Sequence, residues 1–128
     1  MDQKHLGMAL IVFSVLIMVF AQLMLKNRLN IHGAIPLKII DLYPYFMILV
    51  RDVLVWAGGI GLVVSALAWY MAVSRVPLSF AFPFAAMSYP LIFITSVLLL
   101  GEQFSYTKLL ANTLIVSGVL LIGFSNTQ

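Results

Sequence analysis

An all-α membrane protein with four transmembrane helices is the fold class this sequence predicts, on three observations. Apolar residues make up 63% of the 128 positions and charged residues only 9%, and the mean hydropathy is +1.12. So short a chain buries too little surface to hide that much hydrocarbon in a soluble core, so lipid must supply much of the solvent. Four uncharged runs of about 18 residues or more follow one another, each long enough to cross a bilayer. Inside lipid the backbone must satisfy its own hydrogen bonds, so each run is expected to be a helix. The whole chain, 1–128, is expected to form one domain, with spans over 6–25, 53–74, 76–100 and 106–124.

The first span, Leu6 to Leu25, reads LGMALIVFSVLIMVFAQLML and is closed by Lys26 and Arg28. It is too long for a signal-peptide core, and Ala21-Gln22-Leu23 offers no small-x-small cleavage site. The long connection over 26–52 contains IPLKIIDLYPYFMILVRD, a mixture of apolar residues and charges that suits a helix lying in the interface; a plain loop is the alternative. The second span, Val53 to Ser74, carries Gly58, Gly61, Ser65, Ala68 and Ala72 at steps of three and four. That stripe lets another helix backbone approach closely, which is how helices associate in lipid.

A tight hairpin around Arg75 leads into the third span, which holds Pro83 and Pro90. Each proline removes a backbone donor and crowds the preceding turn. Ser79, Pro83, Ala86 and Pro90 share a face, which suits a hinge or the lining of a pathway; a kinked, packed helix is the other reading. After a short link over Gly101 to Ser105, the fourth span repeats the small-residue pattern more sparsely with Ala111, Gly118 and Gly123, beside Asn112 and Ser117. Two small-residue faces favour a dimer over packing within one subunit alone. Lys26, Arg28, Lys38, Arg51 and Lys108 fall on one side of the membrane and Lys4 and Arg75 on the other. This bias favours the first side as cytoplasmic and both termini as periplasmic.

Several functions are disfavoured. The excess of basic residues sits between apolar runs, at headgroup level, and so does not point to nucleic acid. There is no cysteine, hence no thiolate chemistry. His5 and His32 stand without carboxylates or a second histidine at ligand spacing, so no metal site is expected. No phosphate loop or nucleophile elbow occurs, and Gly58-Gly59-Ile60-Gly61 lies within a membrane helix. We therefore expect no enzyme and no cofactor. No Asp, Glu, Lys, Arg or His stands in the middle of a span, whereas ion-coupled transporters usually keep a carboxylate there. Glu102 lies at a span end, as a solvated boundary or a partner of Lys108.

AQLMLK at the end of the first helix, and above all AWYMAVSRVPLSFAFPFAAMSYPLIFITSVLLLGEQFSYTKLLANTLIVSGVLLIG, resemble the small multidrug resistance proteins and their EamA relatives in the drug/metabolite transporter superfamily. The shared pieces are a W-Y-x-A pattern before a basic hairpin, V-P-x-S-x-A-x-P in the third helix, a following G-E, and S-G-V-x-L-I-G in the fourth. Proton-coupled multidrug members carry a glutamate in the middle of the first helix, where this chain has Val12-Phe13-Ser14-Val15. The chain looks most like the paired subunits that flip undecaprenyl-phosphate-aminoarabinose across the bacterial inner membrane, which also lack that acid.

The resemblance implies a multi-pass inner-membrane subunit in a homodimer or heterodimer, moving a polyprenyl-phosphate-linked sugar; the alternative is a small multidrug or cation exporter. On the flippase reading, Lys26, Arg28 and Arg75 draw in the phosphate at the mouths, and Gln22 and Ser88 satisfy hydroxyls. Trp69, Tyr70 and Tyr89 offer flat faces to the sugar, and Glu102 meets an amine. Pro83 and Pro90 act as hinges. Gly58, Gly61, Ser65, Ala111 and Gly118 serve helix packing or the dimer. The aromatic and basic residues have a plainer reading as interfacial anchors and topological markers.

Overall fold

A computed structural model of the chain, describing residues 2–125, contains six helices: α1 (Gln3–His32), α2 (Ile39–Val50), α3 (Val53–Val73), α4 (Leu78–Ala85), α5 (Ser88–Leu100) and α6 (Tyr106–Ser125). Among the described residues, four segments are long and apolar enough to cross a membrane: α1, α3, α6 and Leu78–Leu100, which joins α4 to α5. The expected four-span architecture is therefore present.

The first helix runs further than the first apolar run. Lys26 and Arg28 end the hydrocarbon-compatible stretch without ending the helix, because neither residue breaks the backbone hydrogen bonding. The stop comes at Gly33, whose φ of 90° is incompatible with the helix. Thirty residues at about 1.5 Å each give roughly 45 Å, so α1 outruns the ~30 Å hydrocarbon and stands clear of it.

The connection over 33–52 contains the expected short helix, α2. None of its residues is buried, and Ile39 and Ile40 are more than four-fifths exposed. Uncovered by protein, this apolar surface suits contact with lipid. Both flanks of α2 are fastened: Tyr45 Oη donates to the Gly33 carbonyl at 2.7 Å and Trp56 Nε1 donates to the Val50 carbonyl at 2.8 Å. Asp52 caps α3 by accepting from Leu54 N at 3.0 Å.

Most tertiary packing lies between α1 and α3. Their facing residues recur at steps of three, four or seven in both helices: Gly7, Ser14, Ala21 and Leu25 on α1 oppose Ala72, Ser65, Gly61 and Gly58 on α3 in antiparallel register. A β-carbon added at Gly58 would lie 2.7 Å from Leu25 Cγ, one at Gly61 3.0 Å from Ala21 Cβ, and one at Gly7 2.7 Å from Val76 Cγ1. The α3 stripe is thus filled by α1 of the same chain. Ile11, Val15, Val19, Ala72, Val76, Phe80 and Ala81 complete the core, with α4 closing it from the hairpin side.

The third span, expected as one bent helix over 76–100, is two. Pro90 cannot donate to the Ala86 carbonyl, and Tyr89 N takes it instead at 3.1 Å; Met87 N similarly bonds Phe84 O at 3.1 Å. The chain thereby tightens to i→i+3 bonding around Ala86 and Met87, and α5 restarts at Ser88. Gly101 (φ 67°) ends α5, and its N–H and that of Glu102 both donate to the Ser96 carbonyl. In α6, Val119 is the one buried residue among those described.

Candidate functional site

Ser14 and Ser65 meet in the middle of the α1–α3 seam, each 4% exposed. Ser14 Oγ donates to the Ser65 carbonyl at 2.8 Å, and Ser65 Oγ donates to the Ser14 carbonyl at 2.9 Å. Both hydroxyl protons are thus spent across the seam. Beside this pair opens a pocket of about 330 Å³, lined by Ser14, Val15, Met18 and Gln22 of α1, Leu62, Ser65, Ala66, Trp69 and Tyr70 of α3, and Ala85 of α4. It holds no ionisable side chain except the phenol of Tyr70. Gln22, Trp69 and Tyr70, three of the sequence-predicted residues, come together here. The rings are set differently: Tyr70 is 70% exposed, whereas Trp69 packs edge-on against Phe82 with centroids 5.3 Å apart. Ala85 brings the pocket to the joint between α4 and α5.

Tyr89 and Glu102 belong to a second pocket, about 310 Å³, between α5 and α6. Its polar members are Tyr89, Ser96, Glu102, Lys108 and Asn112, and Ala111 forms part of its wall. Glu102 and Lys108 share this space without forming an ion pair; the ion pairs among the described residues both involve Asp52. Pro90 lines a third, smaller groove between the same two helices, with Asn112 and Thr113.

The basic residues divide. Arg28 Nε lies 2.6 Å from Asp52 Oδ2, and His32 Nε2 lies 2.7 Å from the same oxygen. The His32 hydrogen bond and the Arg28 guanidinium hold the Asp52 carboxyl down at about 2, below its ordinary 3.8. His32 therefore does not stand without a carboxylate, as the sequence alone suggests; its partner arrives from twenty residues away. Arg28, expected at a phosphate-gathering mouth, is engaged in this clasp between the end of α1 and the start of α3. Lys26 is exposed, one helical turn beyond Gln22. Arg75 sits at the opposite end of α3, where its Nη1 donates to the Met71 carbonyl and to Ser74 Oγ, favourable for a cation at a helix C-terminus. Its Nε is buried without a hydrogen-bond partner.

Ser88 is buried at the start of α5 and lines neither polar pocket. Pro83 lies inside α4 and Pro90 is the third residue of α5. Gly118 differs from Gly58 and Gly61, because a β-carbon there would meet nothing within 4 Å. Gly7, Asp52 and the Ser14–Ser65 pairing are the structural residues that sequence reasoning missed. The signal for Gly7 and Ser14 lies in the three-and-four spacing of α1, which matches that of α3.

The chain is 32% identical to a protein of Klebsiella pneumoniae, over 91% of this chain and 94% of that relative. It is 33% identical to one of Erwinia tasmaniensis, over 91% and 94%, and 31% identical to one of Sodalis glossinidius, over 91% and 90%. Each of the three is described as "probable 4-amino-4-deoxy-L-arabinose-phosphoundecaprenol flippase subunit ArnF". No family model and no solved structure matches the chain.

Proposed function

This chain belongs to the family of the ArnF flippase subunits, and from that premise we propose that it is one subunit of a transporter that carries a polyprenyl-phosphate-linked amino sugar between leaflets. It is a multi-pass protein of the bacterial inner membrane, with four apolar spans. A polyprenyl-phosphate sugar has a tail that stays in lipid and an anionic, hydroxyl-rich head that hydrocarbon rejects. The protein therefore needs to supply only a polar path for the head, without chemical catalysis.

The observation that carries this reading is the α1–α3–α4 pocket. It gathers Gln22, Trp69 and Tyr70 and is free of carboxylates and cations. Gln22 supplies amide donors and an acceptor for sugar hydroxyls, and Tyr70 a flat face and a hydroxyl. Lys26, exposed one turn beyond Gln22, meets the phosphate at one mouth and Arg75 at the other. Arg28 contributes by holding α1 to α3. The joint at Ala86 and Met87, flanked by Pro83 and Pro90, borders the pocket through Ala85 and acts as the hinge that switches access. Ser14 occupies the first-helix region where proton-coupled multidrug relatives carry a glutamate, so no observation favours drug/proton exchange. Gly118 and the exposed surface of α6 support a homodimer or a heterodimer with a second four-helix subunit.

Reconstituted vesicles test the reading. The chain, alone or with a second four-helix subunit, should accelerate exchange of labelled polyprenyl-phosphate aminoarabinose between leaflets. No acceleration over protein-free vesicles in any subunit combination would overturn it.

A further inference from the structure

We infer that the pocket between α5 and α6 recognises a headgroup bearing both an ammonium and a phosphate, with Glu102 holding the ammonium and Lys108 the phosphate. Two opposite charges line one cavity of about 310 Å³, at the low end of the ~300–1,000 Å³ usual for small-molecule sites. They form no ion pair with each other or with any other described residue. The fold gains little from either charge where it stands. Lys108 lies in the first turn of α6, the end of a helix whose dipole disfavours a cation. Glu102 follows the left-handed Gly101, and its side chain caps nothing.

The neutral groups around them are also prepared for a ligand. Asn112 Nδ2 donates to the Lys108 carbonyl at 2.8 Å, leaving its amide oxygen as an acceptor. Tyr89 is 61% exposed and presents its ring and hydroxyl at the rim. An acid, a base, an amide acceptor and an aromatic face match an amino sugar phosphate. They also match an aminophospholipid such as phosphatidylethanolamine. The preference for the amino sugar as the source rests on the flippase reading; the paired charge recognition does not. Span alternation puts Glu102, Lys108 and Lys26 on the same side of the membrane, so the pocket is an entry station ahead of the α1–α3–α4 path.

The test uses the full chain in nanodiscs of phosphatidylcholine and phosphatidylglycerol. Equilibrium binding is measured for 4-amino-4-deoxy-L-arabinose 1-phosphate and for its N-acetyl form, which keeps the phosphate and loses the charge on nitrogen. The wild type should bind the free amine at least tenfold tighter. Glu102→Gln should erase that preference, Glu102→Asp should retain part of it, and Lys108→Gln should weaken both probes alike. Equal binding of the two probes by the wild type, or an undiminished preference in Glu102→Gln, would overturn the inference. Adding phosphatidylethanolamine to the nanodiscs separates the sources: displacement of the sugar phosphate by it makes the phospholipid the occupant, and no displacement makes it the amino sugar. Equal binding of the two probes by a wild type that still flips lipid removes this site and spares the flippase reading. Intact discrimination without flipping does the reverse.

Discussion

The α1–α3 seam and the α5–α6 pair are built from similar residues and packed in opposite ways. Both use glycine, alanine and serine at helical spacing. In the seam every small residue faces a neighbour: Gly58 meets Leu25, Gly61 meets Ala21, and Ser65 meets Ser14. Between α5 and α6 the helices leave two pockets, Gly118 faces open space, and Ala111 forms a pocket wall. The first pair is a frame whose register is fixed, and the second is a surface left available. Small residues therefore mean close packing only where a second helix within the chain fills them.

The largest expected effect breaks the frame. Gly58→Val drives new atoms into Leu25 and should cost about 1–3 kcal/mol, the usual range for overpacking. Gly118→Val, with nothing nearby, should leave the stability of the single chain unchanged and alter its oligomeric state. Denaturant unfolding with size analysis in detergent measures both, and equal destabilisation of the two variants would erase the distinction. Next come the hinge prolines. Pro83→Ala and Pro90→Ala straighten the joint and should slow lipid exchange about tenfold, equivalent to about 1.4 kcal/mol of barrier, without loss of stability. Vesicle assays read the rate, and undiminished exchange would make the joint a static kink.

A smaller effect sharpens the comparison. Ser14→Ala and Ser65→Ala each remove one hydrogen bond, worth about 0.6 kcal/mol on average between membrane helices. Because the two hydroxyls also lie 3.2 Å apart in one buried site, the two losses should couple in a double-mutant cycle, and simple additivity would make the two bonds independent. The smallest effect concerns acid. Asp52 titrates lower in the folded chain, near 2, than its ordinary 3.8, so the folded state binds its proton less readily. Its contribution is full above 3.8 and fades as the pH falls towards 2. The unfolding midpoint of the wild type should fall in that window, and Asp52→Asn should lack this component of the fall.

The spans were legible because hydrocarbon length and the absence of charge are local properties. The α3 stripe was legible for the same reason, but not what fills it. Gly58 reads equally well as a surface for a second subunit or for α1, and the partner appears only when the antiparallel register brings Leu25 to it. The Asp52 clasp was invisible because Arg28, His32 and Asp52 lie on two elements separated by α2. Lys26 and Arg28 mark the end of the apolar run, which the sequence shows, but not the end of the helix, which continues to His32. The prolines announced a disturbance, while its position at Ala86 and Met87 depends on which N–H takes the carbonyl that Pro90 cannot. Of the residues expected to meet the substrate, Gln22, Trp69 and Tyr70 line one pocket and Tyr89 and Glu102 another, a division that spacing along the chain does not reveal because it does not tell which side of α5 a tyrosine occupies.

The overhang of α1 has a mechanical corollary. Tied at its far tip through Asp52 and interlocked lower down by Ser14, this rod cannot slip lengthwise past α3 without undoing both fastenings at once. The two behave as a planted post, so any alternation of access must come from α4, α5 and α6 swinging around it.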